Sequence, residues 1–240
     1  MKTPVVMSWS GGKDSAVALH ELRSGGDYDV VALLTTVSEE HRRISHHGVR
    51  EELLDAQAAA IGLPIEKVYL PSGPAGGCSN EVYEAITAAA FRRFSERGVE
   101  VVAYGDLFLE DLRQWREASI ARAGMRAVFP IWGRETRMLA REVIRDGYRA
   151  YISCVEGTLE QFVGRLYDEK FVAALPAGVD PCGENGEFHS FVFDGPPFAR
   201  PVAVTVGETV IRDGRYYADL LPGVSAPVAS IAREAIPPLR

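Results

Sequence analysis

Ser10-Gly11-Gly12-Lys13-Asp14-Ser15 sets two hydroxyls, an ammonium and a carboxylate around two adjacent glycines. An apolar run, Val5-Val6-Met7, precedes this stretch and an amphipathic one, Ala16 to Leu22, follows it. The loop therefore falls where a strand ends and a helix begins. Glycine lets the backbone come close to a ligand and take angles that a side chain forbids. Amides of the loop and of the first helical turn then converge on an anion, helped by the helix dipole. Lys13 adds charge, and Ser10 and Ser15 add hydroxyl donors. This is the chemistry of a phosphate site. It is not a Walker A loop, because Asp14 follows Gly12-Lys13 and Met7-Ser8 stand where the earlier glycine is needed. Nor is it the dinucleotide pattern Gly-x-Gly-x-x-Gly.

A second dense cluster is Asp180-Pro181-Cys182-Gly183-Glu184-Asn185-Gly186-Glu187-Phe188. Its carboxylates suit a cation such as magnesium held together with substrate phosphates, or a substrate amine. A solvated acidic turn is the plain alternative. Gly105-Asp106 follows another apolar run, and Asp106 is either a ribose or metal contact or a turn residue. His47 and Arg50, at a helix start, face phosphate or an acceptor, or else lie on the surface. Arg116 lines the same crevice or pairs with Glu117 on an exposed helix. Asp14 is either a magnesium ligand or a helix N-cap.

The elements around these motifs repeat one rhythm: β-branched run, loop, helix, glycine, next run. Strands are expected at Val30 to Thr36, Ile65 to Leu70, Val99 to Tyr104 and Ala127 to Phe129. Val49, Leu53, Gln57 and Ala60-Ile61 share one helical face, as do Val82, Ile86, Ala90 and Phe94, and a third helix runs from Asp111 to Ala123. Alternation of this kind predicts an α/β, Rossmann-like parallel sheet with helices on both faces over residues 1–128. In such sheets ligands bind beyond the carboxyl ends of the strands, where Ser10 to Ser15 and Gly105-Asp106 both fall. After Phe129 a helix at Glu135 to Asp146, a strand at Tyr148 to Val155 and a helix or helix pair within Thr158 to Ala174 lead to clustered strands: Glu187 to Phe193, Val202 to Val206, Thr209 to Arg212 and Tyr216 to Leu220. Gly207-Glu208 and Asp213-Gly214 read as hairpin turns. That predicts a smaller α+β domain over 129–222, with a proline-rich flexible tail at 223–240.

The 240 residues carry a net charge of −7, with 47% hydrophobic and 25% charged residues, an ordinary globular balance. The acidic charge gives no strong nucleic-acid signal. No leader or apolar span is apparent, so a cytoplasmic, membrane-free protein is expected. Cys78, Cys154 and Cys182 form no Cys-x-x-Cys pair and suggest neither a zinc ribbon nor an iron–sulfur site.

The first loop resembles the PP-loop, Ser-Gly-Gly-x-Asp-Ser, of ATP pyrophosphatases, which cleave ATP between the α and β phosphates. The PP-loop, Gly105-Asp106, Phe129-Pro130-Ile131-Trp132 and Gly183-Glu184-Asn185-Gly186-Glu187-Phe188 occur in the same order in the diphthine–ammonia ligase family. The resemblance runs from about Val5 to Leu221. Two positions depart from the eukaryotic and archaeal pattern Gly-Glu-Gly-Gly-Glu-Tyr: Asn185 replaces a glycine and Phe188 a tyrosine. Bacterial relatives often carry the version found here, and bacteria lack diphthamide, so in a bacterial chain the acceptor differs. The resemblance implies ATP and Mg2+ as cofactors and adenylation of a carboxyl group on a small molecule or protein. Ammonia or an amine then displaces AMP. It implies Lys13, Glu184 and Glu187 as catalytic residues, Ser10 to Ser15 with Gly105 and Asp106 around the nucleotide, and His47, Arg50, Arg116 and Asn185 around the substrate. A homodimer is compatible with this scheme. Two other readings compete: a tRNA-modifying PP-loop enzyme, and a non-catalytic adenine-nucleotide-binding protein.

Overall fold

The computed structural model describes residues 1–45, 47–71 and 78–223. Five strands form one parallel sheet: β1 Thr3–Ser8, β2 Tyr28–Ser38, β3 Ile65–Leu70, β4 Val101–Ala103 and β5 Arg126–Val128, in the order β3-β2-β1-β4-β5. Helices α1 Lys13–Gly25, α2 Glu51–Ile61, α3 Asn80–Glu96 and α4 Glu110–Ala121 make the crossovers. The strands are apolar at successive positions because both sheet faces are covered. Val5, Met7, Leu33, Val101 and Ala103 pack with α1 and α2, whereas Val6, Ala32, Leu34 and Val102 pack with α3 and α4. The expected Rossmann-like sheet is therefore present. Its strand order reverses beside β1, between β2 on one side and β4 on the other, and both expected ligand loops leave at that point.

Beyond β5 come α5 Thr136–Arg145, β6 Arg149–Glu156, a 3-10 turn Gly157–Phe162 and α6 Glu169–Ala174. Strands β7 Phe188–Asp194, β8 Val204–Arg212 and β9 Arg215–Pro222 then join β6 in an antiparallel sheet of order β7-β6-β9-β8. The inner faces of the two sheets share one apolar cluster: Phe191, Val192, Ala218 and Leu220 are buried with Leu19 of α1 and Leu53 of α2.

One expected turn is absent. Gly207-Glu208 lies inside a continuous β8, where the register against β9 shifts between Val206 and Thr209. A Cβ on Gly207 would stand 2.7 Å from the Asp219 carbonyl oxygen. The glycine marks a bulge pressed against the partner strand, not a chain reversal. Asp213-Gly214 does turn the chain, both residues having positive φ, at 49° and 74°, as a tight hairpin requires. The expected tail, beyond Gly223, lies outside the described residues.

Candidate functional site

The loop after β1 enters α1 through Gly11, whose φ is +77°, and Gly12, the N-cap. Gly12 itself offers no side chain to cap the helix. Asp14 sits inside the first turn rather than at the cap. Ser10 Oγ lies 3.2 Å from Ser15 Oγ, and Ser15 Oγ donates to the Gly12 carbonyl. Gly105 follows β4 and must be glycine: a Cβ there would approach the backbone at Asp14 and Ser15 to 2.9 Å. The two loops thus touch, and together they floor a crevice of about 660 Å³.

Lys13 is almost fully buried, at 2% exposure. Its Nζ donates to Asp14 Oδ2 at 2.9 Å and to the Cys182 carbonyl, and stands 5.5 and 5.4 Å from the ring centres of Tyr167 and Phe188. Burial works against the ammonium, but Asp14, Cys182 and Glu184 together raise the pKa above that of an ordinary lysine. Burial pushes the Asp14 carboxyl up, against the pull of Lys13. Asp14 Oδ1 is buried and takes no hydrogen bond among the described residues. An unsatisfied buried oxygen is costly, and a cation held with nucleotide phosphates would satisfy it. No group of three or more His, Cys, Asp or Glu among the described residues could cage a metal. The lone Asp14 Oδ1 is a hard oxygen of the kind that suits magnesium held mainly by phosphates and water.

Residues 180–187 fold over this floor. Gly183, at φ +71°, comes so close to Phe188 that a Cβ would stand 2.7 Å from its carbonyl oxygen. Asp180 Oδ2 accepts from the Glu184 amide. Glu184 reaches across to the loop after β4, where its Oε1 accepts from the Leu107 amide at 2.7 Å. Burial pushes the Glu184 carboxyl up to about 7; the Leu107 amide opposes this, and Asp14 and Asp106 reinforce it by repulsion.

The expected substrate contacts divide. His47 lines the crevice, its ring tilted 34° against that of His189 with centres 4.5 Å apart and its Nδ1 3.2 Å from the Ser190 carbonyl oxygen. Arg116 also lines it, paired with Asp106 at 2.6 Å and 4.3 Å above the Tyr104 ring. Three residues point elsewhere. Arg50 is held bidentate by Asp219 of β9, with contacts of 2.9 and 2.8 Å, and Arg43 joins them at 2.8 Å. The Arg50 guanidinium ties β9 to the start of α2. Asn185 Nδ2 donates to Glu187 Oε1, which also accepts from the Asp180 amide. Glu187 and Asn185 thus lock the shape of the loop that carries Glu184, and neither borders the crevice.

The Asp219 clamp has a measurable consequence. The Arg50 hydrogen bond leads in holding the Asp219 carboxyl down at about 2, from an ordinary value of 3.8. The stability it contributes is present above 3.8 and is lost as pH falls through about 2. Asp219→Asn is expected to cost about 2 kcal/mol at pH 7, the worth of hydrogen bonds to a charged group. Urea midpoints should differ at pH 7 and converge near pH 2. Equal midpoints at pH 7 would contradict the clamp.

Two buried polar residues complete the floor. Gln57 is fully buried: Nε2 donates to the carbonyls of Gly11 and Val192, and Oε1 accepts from Trp9 Nε1. Ser190 Oγ accepts from the Lys13 amide, and the Val192 amide donates to the Gly11 carbonyl. Edge strand β7 therefore grips the phosphate loop directly. Gln57 was visible in the sequence as the polar member of an otherwise apolar helical face; Ser190 left no such trace. Away from the phosphate loop the crevice is lined by Leu34, Val68, Tyr83, Phe91 and Tyr104, an apolar and aromatic surface suited to a flat base.

Comparison with known proteins identifies the family. Residues 1–127 match the diphthamide synthase N-terminal domain and residues 135–220 the diphthamide synthase C-terminal domain. A diphthine–ammonia ligase of Danio rerio is 25% identical over 87% of this chain and 89% of its own length. The Homo sapiens diphthine–ammonia ligase is 25% identical over 87% of this chain and 85% of its own. Among solved structures, a "predicted subunit of tRNA methyltransferase" from Methanocaldococcus jannaschii aligns over 64% of this chain and 78% of that one, at 15% identity and a TM-score of 0.39. With both domains matched in order and nearly end to end, the chain belongs to the diphthamide synthase family.

Proposed function

We propose that this chain is an ATP-dependent ligase that adenylates a carboxyl group, releases pyrophosphate and transfers ammonia or an amine to the activated carbonyl. One observation carries the proposal. Lys13 of the first loop and Glu184 of the distant 180–187 loop border one crevice, Lys13 donating to the Cys182 carbonyl and Glu184 accepting from the Leu107 amide after β4. An ammonium suited to phosphate and a carboxyl suited to proton transfer therefore border the same cavity.

The acceptor carboxylate attacks the α-phosphorus, and the bond to the bridging oxygen of pyrophosphate breaks. Lys13 neutralises the charge that develops on the leaving group, and the Gly11-Gly12 backbone with Ser10 and Ser15 positions it. A magnesium ion, which the free Asp14 Oδ1 suits, would add charge neutralisation. Ammonia then attacks the carbonyl carbon and AMP leaves. Glu184 takes the proton released from the nitrogen, a task for which a pKa of about 7 is well matched. Asp106, oriented by Arg116, serves the ribose, and His47 faces the acceptor. Glu187 and Asn185 hold the loop that aims Glu184.

The family relatives are named diphthine–ammonia ligases, and joining ammonia in an amide needs a carboxyl on the acceptor. We assign the acceptor here to the same chemical class: a carboxyl on a protein or small molecule. Among the described residues, no helix is long and apolar enough to cross a membrane; a cytoplasmic site of action is part of the proposal. The test uses 15N-ammonium, ATP, magnesium and a cell extract. A new amide carrying 15N, formed only with active protein, supports ligation. Labelled product found in tRNA would favour the tRNA-modifying reading, and ATP binding with no labelled product would favour a sensor.

A further inference from the structure

A second cavity, of about 590 Å³, lies outside the crevice between α5 and residues 172–181. Arg137, Arg141 and Arg145 border it at successive turns of α5, because residues four apart share a helical face. Arg137 and Arg141 are exposed and take part in no ion pair among the described residues, whereas Arg145 is paired with Asp146. Opposite them, Val172, Leu175 and Val179 supply an aliphatic wall. In a chain of net charge −7, two unpaired arginines above an apolar wall make a local surface of opposite sign.

We propose that this groove binds an acidic, partly aliphatic peptide segment of the protein that bears the acceptor carboxyl. The proposal rests on the ligase reading for the identity of the partner, though not for the binding itself. Arginine forks match carboxylates bidentately, and the aliphatic wall suits leucine-like side chains. A nucleic acid fits less well: the wall offers no aromatic ring for base stacking, and Glu169 at the border repels phosphate. Position also favours an acceptor. Pro181 borders the groove, and the next residue, Cys182, borders the crevice and accepts from Lys13. A segment seated here runs alongside the loop that carries Glu184.

The test is fluorescence anisotropy with a fluorescein-labelled peptide of alternating Glu and Leu, on the full chain. Saturable binding is expected that weakens with salt. Arg137→Ala/Arg141→Ala should weaken it about tenfold or more, Arg137→Lys/Arg141→Lys should restore part of it, and ATP affinity should not change. No saturable binding, or equal binding by the alanine variant, overturns the groove assignment. An oligothymidine that displaces the peptide and binds more tightly overturns the choice of occupant. Peptide binding is read apart from AMP formation. Arginine-dependent binding without AMP formation would therefore sink the ligase reading alone, and AMP formation with arginine-independent binding would sink the groove alone.

Discussion

Lys13→Met is expected to cut pyrophosphate release about 10²–10³-fold, the usual cost of removing one preorganised charge-stabilising donor. The substitution keeps an unbranched apolar stem against Tyr167 and Phe188, which flank the ammonium. Loss of the charge leaves Asp14 without its partner, but burial already pushes that carboxyl up. Without the lysine it takes a proton instead of standing as an isolated buried charge. The variant should therefore fold, with native circular dichroism and a cooperative melt. Steady-state pyrophosphate assay and melting together make the check. Release at the wild-type rate would remove Lys13 from the phosphate chemistry.

Glu184→Gln is expected to lower ammonia-dependent turnover about 10²–10⁴-fold, the range for a positioned general base, with ATP binding little changed. Glutamine keeps an oxygen for the Leu107 amide, so the link between the two loops survives. The pH profile separates the proton role from a structural one. Wild-type turnover should rise as pH passes through about 7, where Glu184 loses its proton, and the variant should lack that inflection. Stability runs the other way. The folded carboxyl holds its proton to about 7, above the ordinary value of 4.5. Glu184 therefore favours the folded state most at low pH, and that contribution is lost as pH rises from about 4.5 through about 7. Glu184→Gln should flatten this part of the urea-midpoint profile. An unchanged inflection in the variant's turnover would assign the proton transfer to another group.

Much of this site was legible in the sequence because its chemistry is local. Two glycines, a lysine and two serines were read as a loop between a strand and a helix, and β1, α1 and the switch point of the parallel sheet put them there. Gly105 was readable for the same reason, although its need to be glycine came only from the approach of α1. What could not be read was the direction of side chains from distant segments. Arg50 precedes α2 beside His47, yet it turns to Asp219, 169 positions away. Glu184 and Glu187 are three residues apart in one acidic loop. Only the positive φ of Gly183 and Gly186, together with the Leu107 amide, decides that the first faces the crevice and the second faces its own loop. Gly207 shows the reverse error: a local turn signal was overridden by strand pairing, because a bulge and a hairpin both select glycine. The grip of β7 on the phosphate loop is wholly non-local, set by an edge strand whose sequence says nothing of its neighbour.

In the proposed reaction this crevice cuts ATP at the α-phosphate. ATP labelled at its α-phosphorus, incubated with the protein, magnesium, ammonium and a cell extract, tests it most directly. Labelled AMP and an equal amount of pyrophosphate should form, and both should be lost in Lys13→Met. Labelled ADP with inorganic phosphate, lost in the same variant, would contradict it.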